Sequence, residues 1–246
     1  MNKTIGILGG MGPEATAYFF ELIIKKTEVK RDQDHIPVFM YSNPMVPPRT
    51  DAFMKKGPSP VPLLVDGLRR LRRAGADFMV MPCVTAHYFL PEVLAQEKFP
   101  VVSLIEESLG WARRNIPRLK TAGLISSTGT LKSRLFHEAF GKNGIEIMGP
   151  EEGEQDKVME AIFGNQGIKA GYTSGEPKKI IIDTARRLIQ KGAQAVIAGC
   201  TEVPLVLKQE DISVPLIEPL SIAAEACILK AGRKLRGGKA QKKFCA

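Results

Sequence analysis

Long apolar runs are absent from this chain: nowhere does it approach the roughly 18 consecutive apolar residues that a membrane-crossing helix needs. The N-terminus also lacks the basic, apolar and small-residue succession of an export leader. These absences exclude a membrane partner from the reading and lead to the expectation of a cytoplasmic protein. Cysteine is scarce. Four in 246 residues, Cys83, Cys200, Cys227 and Cys245, do not make a disulfide framework in a chain of this size. Nor do they suggest a metal: Cys83 and His87 stand four apart, but no second cluster supplies the remaining ligands of a tetrahedral site. Cys227 falls in a helical pattern, Ile222 to Leu229, and reads as a small buried hydrophobe, whereas Cys245 belongs to the tail.

Acidic residues are missing from the C-terminal end, and this accounts for most of the formal charge of +9. Lys230, Arg233, Lys234, Arg236, Lys239, Lys242 and Lys243 are seven cations with no acid among them, so the rest of the chain carries only 9 − 7 = +2. The tail after Leu235 reads as a solvated end rather than a polyanion-binding arm. No recognition-helix pattern or array of aromatics among basic residues supports a nucleic-acid partner. Phosphate-loop signatures are missing too. Gly9-Gly10-Met11-Gly12-Pro13 lies between a short apolar run and a helical pattern from Glu14 to Lys26, but matches neither the Walker pattern nor a full dinucleotide fingerprint. A plain turn and an anion-holding loop at a helix start both remain open for it.

What the chain does contain is an internal repeat. Cys83 and Cys200 are separated by 200 − 83 = 117 residues, and each follows a strand-like apolar segment. The same offset pairs Lys3-Thr4 with Lys120-Thr121, Gly6 with Gly123, Gly12 with Gly129, Phe19 with Phe136 and Glu21 with Glu138. It also pairs Arg69-Arg70-Leu71 with Arg186-Arg187-Leu188, and Gly75-Ala76 with Gly192-Ala193. Two halves with one folding plan are expected.

Within each half, helical patterns alternate with short apolar strands. Leu64, Leu68 and Leu71 share a helical face ahead of the strand Asp77 to Met81; Ile181, Ala185, Leu188 and Ile189 precede the strand Ala195 to Ala198. Val101 to Leu104 and Val214 to Ile217 are further strand-like pieces, each before a helix. This alternation predicts an α/β fold with parallel sheets covered on both faces. The run Arg69, Arg70, Arg72, Arg73 reads as a solvated helix face. Both cysteines fall past the carboxyl ends of strands, where ligands collect in such sheets. A following helix dipole is expected to lower each thiol toward neutrality.

Paired cysteines flanking one carbon suit a definite reaction. One removes a proton from one face while the other returns a proton to the opposite face, which inverts a stereocentre without a redox step or a metal. The two groups must begin as thiolate and thiol and exchange those states in turnover.

Gly9-Gly10-Met11-Gly12-Pro13-Glu14-Ala15-Thr16, Asp34-His35-Ile36-Pro37, Pro47-Pro48-Arg49-Thr50, Pro82-Cys83 with Thr85-Ala86-His87, Ser127-Thr128-Gly129-Thr130 and Gly199-Cys200-Thr201-Glu202, in this order, resemble the aspartate/glutamate racemase family. The resemblance implies two pseudo-symmetric parallel-sheet α/β domains with the active site in the cleft between them, a two-base mechanism without cofactor, and often a homodimer. The expected boundaries are 1–103 with 218–235 for one domain, 104–217 for the other, and 236–246 as a flexible basic tail.

By the resemblance, Cys83 and Cys200 are the catalytic thiols, Cys200 acting on the L and Cys83 on the D enantiomer of aspartate or glutamate. Thr85 and Thr201 would bond the α-carboxylate or ammonium. Met11 and Gly12 would line the floor, with Thr128 in the equivalent loop. Arg49 and Lys169 would grip a side-chain carboxylate; without the resemblance both read as solvent-facing. His87 is left between a group supporting the site and a structural helix-start residue, and Glu202 is expected to set the field around Cys200.

Two departures stand out: Val84 replaces an asparagine usual in the family, and Phe136 a common tyrosine. A lost buried hydrogen bond to substrate costs roughly 1–3 kcal/mol. The competing readings are therefore a dicarboxylate isomerase or decarboxylase of the same superfamily, or an amino-acid-binding protein weak in catalysis.

Overall fold

The computed structural model describes residues 3–237, so Cys245 and all but the first two residues of the expected tail lie outside the described residues. Along the chain run β1 (Ile5–Gly9), α1 (Pro13–Lys26), β2 (Val38–Ser42), α2 (Arg49–Phe53), α3 (Val61–Ala74), β3 (Phe78–Val80), α4 (Leu90–Gln96), β4 (Val101–Val102) and α5 (Leu104–Asn115). Next come β5 (Thr121–Ile125), α6 (Thr128–Ser133), α7 (Leu135–Gly141), β6 (Glu146–Met148), α8 (Glu152–Phe163), α9 (Glu176–Gln190), β7 (Ala195–Ala198), α10 (Val203–Val206), β8 (Leu216–Ile217) and α11 (Pro219–Lys230). None of the described helices is long and apolar enough to cross a membrane.

The chain divides into two units. Described residues 3–107 and 220–237 make the first, and residues 108–219 the second. Each holds a four-stranded sheet, β2-β1-β3-β4 in one and β6-β5-β7-β8 in the other, with every strand pair parallel. The expected α/β class and the common plan of the halves are therefore present. Even the register repeats: Ile5 faces Phe78 in the first sheet and Ala122 faces Ala195 in the second, both members being 117 residues on (122 − 5 = 195 − 78 = 117).

The repeated residues also make one repeated contact. A β-carbon on Gly6 would sit 3.0 Å from Ala76 Cβ and 3.3 Å from Leu71 Cδ1; on Gly123 it would sit 3.3 Å from Ala193 Cβ and 3.0 Å from Leu188 Cβ. Glycine on the central strand thus lets the helix before the next strand lie close against the sheet. That helix ends alike in both units. Gly75 and Gly192 are left-handed, with φ of 99° and 105°, and the amides of Ala76 and Ala193 reach back to Leu71 and Leu188 carbonyls at 3.1 and 3.0 Å. This is a glycine-terminated helix stop that turns the chain directly into β3 or β7.

α3 buries Val61, Leu64, Val65, Leu68 and Leu71, which places its apolar stripe in the core cluster of the first unit with Leu8, Met79 and Val93. Burying each such aliphatic side chain stabilises by about 1.5–3 kcal/mol. The arginine run lies on the exposed side as expected. It is not merely solvated, because Arg69 and Arg72 both reach Glu97 beyond α4 and Arg70 pairs with Asp66. α9 supplies the corresponding stripe of the second unit, Ile181, Ala185 and Leu188. Cys227 is fully buried on α11, a small hydrophobe as its helical pattern indicated.

Candidate active site

In the first unit, parallel pairing of β1 and β3 brings the segments after them out at the same sheet edge. Gly12 caps α1 with Pro13 in the first turn. The Gly10 amide donates to Thr16 Oγ1 at 3.0 Å, and that hydroxyl donates to the Gly12 carbonyl at 2.7 Å. One of the amides available for an anion is thus spent within the loop. Met11 is buried in the same apolar cluster as Cys83 and Val46. Arg49, the first residue of α2, donates from Nη1 to the carbonyls of Val46 (2.8 Å) and Pro47 (2.9 Å), and from Nη2 to that of Met11 (3.0 Å). Its solvent-facing reading is corrected: the guanidinium is half-buried and ties the segment before α2 to the loop after β1.

Cys83 follows β3 and is 6% exposed. Val84 and Thr85 behind it are buried, at the start of a 3₁₀ turn running from Thr85 to Phe89. His87 lies in that turn, with Nδ1 3.0 Å from the Cys83 carbonyl and Nε2 3.2 Å from the Leu104 amide. A carbonyl only accepts and an amide only donates, so the proton is on Nδ1 and the ring is neutral. Burial holds this imidazole down at about 4, against the bonding to Cys83 and Val84 backbone. Of the two roles left open, the contacts are those of a structural residue, linking the cysteine turn to the first residue of α5.

In the second unit, β5 and β7 repeat the arrangement. Ser127 caps α6, its hydroxyl accepting the Thr130 amide at 3.3 Å. Thr128, half-buried, gives its amide to Met159 Sδ (3.2 Å), and its hydroxyl oxygen accepts from Gln155 Nε2 (3.2 Å). The same Nε2 donates to the Ser126 carbonyl at 3.0 Å. The Thr128 hydroxyl oxygen is thereby an acceptor toward Gln155, which turns its own proton elsewhere. Gln155 was not anticipated. The signal was a polar residue on a helical face otherwise made of Val158, Ala161 and Ile162.

Cys200 lies beyond β7 and is 8% exposed. Its Sγ donates to Glu202 Oε2 at 3.0 Å, and the Thr201 hydroxyl donates to the same oxygen at 3.2 Å. Lys169 takes the other carboxylate oxygen, Oε1, and its ammonium stands 5.4 Å from the centre of the Phe163 ring. Lys169 is consequently not solvent-facing, with 23% of its side chain exposed against 3% for Glu202. Burial, then the Glu202 charge, hold the Cys200 thiol well above its ordinary range, while Lys169 pulls it back. The expected lowering by a helix dipole is overturned here, because α10 has only four residues and a buried carboxylate lies closer. The expectation that Glu202 sets the local field is met.

The structure therefore groups Met11, Gly12, Arg49, Cys83 and Thr85 around one sheet edge, and Thr128, Lys169, Cys200 and Thr201 around the corresponding edge of the other sheet. Among the described residues, no cluster of three or more His, Cys, Asp or Glu is arranged to hold a metal.

Comparison with known proteins extends over nearly the whole chain. Residues 8–227 match the family model described as Asp/Glu/Hydantoin racemase. The broad specificity amino-acid racemase RacX of Bacillus subtilis (strain 168) is 27% identical over 238 residues, covering 92% of this chain and 95% of that one. The structure of Picrophilus torridus aspartate racemase superposes with a TM-score of 0.84 at 27% identity, covering 95% of this chain and 96% of that one. An aspartate racemase homologue from Pyrococcus horikoshii OT3 shares the fold with a TM-score of 0.73 at 24% identity, covering 94% and 99%.

Proposed function

The chain belongs to the Asp/Glu/hydantoin racemase family and is by that membership an isomerase, and on this premise we propose that it interconverts L- and D-aspartate, or glutamate, by two-base proton transfer at Cα without pyridoxal phosphate. The observation that carries the reading is the placement of Cys83 and Cys200 after strands that repeat in register, one thiol per unit. The Bacillus subtilis and Picrophilus torridus relatives are both racemases, which supports the reading from a second direction.

In the proposed cycle one cysteine is a thiolate and takes the Cα proton. The other is a thiol and delivers its proton to the opposite face of the same carbon. The intermediate carries negative charge delocalised into the α-carboxylate, which the Thr85 hydroxyl is proposed to stabilise; the Thr201 oxygen, whose proton is directed at Glu202, accepts from the ammonium, and Met11, Gly12 and Thr128 line the floor. Arg49 and Lys169 supply the positive charge that favours an acidic side chain. Each retains donor capacity, since a guanidinium has five N–H groups and an ammonium three. A cytoplasmic homodimer is part of the proposal.

The test is a chiral assay of dialysed protein in deuterated water across the common amino acids. Aspartate or glutamate is expected to racemise with deuterium entering at Cα, and Cys83→Ala or Cys200→Ala to abolish interconversion. Neither exchange nor racemisation with any amino acid would overturn the reading. Turnover of a dicarboxylic acid without amino-acid racemisation would select an isomerase or decarboxylase instead. Calorimetric binding without exchange would select a binding protein, the reading that buried Val84 favours.

A further inference from the structure

The two halves match at their cysteines but differ two residues later. Thr85 follows Cys83 at the place where Glu202 follows Cys200, 202 − 85 = 117 residues on. Val84 and Thr201 differ as well, but this second difference is a charge, and it lies against one of the two sulfur atoms. Glu202 is 2% exposed. Its Oε2 accepts from Cys200 Sγ at 3.0 Å and from Thr201 Oγ1 at 3.2 Å, while Lys169 holds Oε1.

A two-base reaction needs its two groups in opposite states at the outset, and a perfect repeat would supply two identical ones. We propose that Glu202 breaks this symmetry: by accepting a hydrogen bond from Cys200 it keeps that residue as the thiol, so Cys83 takes the first proton and the resting enzyme selects the enantiomer whose Cα–H meets Cys83. This deepens the racemase reading and rests on it for the identity of the substrate. By the resemblance, the selected enantiomer is D. Glu202 acts through Cys200 and is a positioning residue. The direction in which Cys200 is displaced agrees, burial and Glu202 both favouring the protonated sulfur and Lys169 opposing them.

The proton balance follows. The Cα–H bond breaks and an S–H bond forms on Cys83; the Cys200 S–H bond breaks and a new Cα–H bond forms on the other face. Product leaves behind a Cys200 thiolate beside the Glu202 carboxylate, two like charges in contact, offset in part by Lys169. That form returns to rest by taking a proton from water at Cys200 and losing one to water at Cys83.

The test reads each cysteine separately in the full-length protein, following iodoacetamide alkylation against pH by peptide mass spectrometry. Glu202→Gln keeps the shape and removes the charge. It is expected to lower the alkylation midpoint of Cys200 by about one pH unit or more, tenfold in thiolate fraction, and to leave that of Cys83 in place. Lys169→Met is expected to move the Cys200 midpoint the opposite way, and Glu202→Asp to restore the wild-type value in part. A Cys200 midpoint unmoved by Glu202→Gln, or lowered by Lys169→Met, overturns the proposal; if Glu202→Gln does not fold, the sign of the Lys169→Met shift decides.

These midpoints need no turnover, so they stand or fall apart from the racemase assay. With active enzyme, one further readout applies. The first turnover is expected to exchange Cα deuterium faster from the enantiomer that meets Cys83, and Glu202→Gln to erase that difference. Steady-state kcat/KM must remain equal in both directions, because the enantiomers are equal in energy.

Discussion

His87 shows how a buried polar residue fixes the turn that carries a cysteine. Its ring bridges a carbonyl in the cysteine turn and the amide that begins α5, and it stays neutral because burial disfavours the charged form. This has a signed consequence for stability. Between pH 6.5 and about 4 the unfolded chain binds a proton on this residue that the folded chain refuses, so the unfolded state gains as pH falls through that window. The loss is about 1.4 kcal/mol per pH unit, and above pH 6.5 the group adds no dependence. His87→Gln is expected to lower stability at pH 7 by about 1–3 kcal/mol, with the gap to wild type narrowing as pH falls toward 4. Urea midpoints across that range check it; a constant gap would refute it. Gln155→Leu leaves the Ser126 carbonyl without its donor at a buried place and releases the Thr128 hydroxyl. It is expected to cost about 1–3 kcal/mol in the same assay and to raise KM in the racemase assay. At this scale the cysteines were legible because a repeat singled them out. Arg49 and Lys169 were misjudged from their residue types alone because their partners, three carbonyls and a carboxylate 33 positions away, leave no mark in spacing.

Among the elements, the central strands β3 and β7 and the helices before them were the most legible, and the edge strands β4 and β8 showed themselves by a short apolar run ahead of a helix. β1, β3 and β7 are buried throughout, and β5 at all but its first residue; the unbroken apolar runs of β3 and β7 announce strands between amphipathic helices. β2 and β6 lie at the sheet edges with mixed exposure, and neither Val-Phe-Met-Tyr-Ser nor Glu-Ile-Met carries a pattern that separates a strand from an extended loop. The glycines of β1 and β5 give this scale its prediction. At Gly6 and Gly123 an added methyl meets Leu71 or Leu188 of the helix packed on the sheet and the alanine that follows that helix, and at Gly6 also the Phe78 carbonyl, at 3.0–3.3 Å. Helix and strand must separate slightly in either variant, so Gly6→Ala and Gly123→Ala are each expected to destabilise by about 1–3 kcal/mol. Pairing Gly123→Ala with Leu188→Ala, which removes the Cδ1 atom 3.1 Å from the new methyl, is expected to cost less than the two single changes added together. Additive losses in chemical unfolding would show that the contact is not shared.

For the molecule as a whole, the order of the chain matters more than the repeat. The second unit is continuous, residues 108–219, whereas the first is completed by a return segment, residues 220–237. That return is built into the first unit by backbone bonds: the Lys3 amide to the Ala231 carbonyl (3.2 Å), Glu28 to Lys234 (2.9 Å) and Arg236 to Lys26 (2.7 Å). Thr27 pairs with Leu235 in an antiparallel bridge, and Lys26 meets Glu225 at 2.6 Å. A chain ending at residue 218 loses these bonds together with buried Leu220, Ile228 and Ala231. Two large aliphatic side chains alone amount to about 3–6 kcal/mol, a large part of the 5–15 kcal/mol that holds an ordinary domain together. The truncated chain is expected to keep the second unit folded and lose the first. A fragment spanning residues 104–219, which retains α5, the second sheet and its own core cluster, is expected to unfold cooperatively by itself. Circular dichroism with urea titration on both chains separates the outcomes. Two intact transitions in the chain ending at 218 would show that the return segment is dispensable, and a fragment without a cooperative transition would show that the second unit depends on the first.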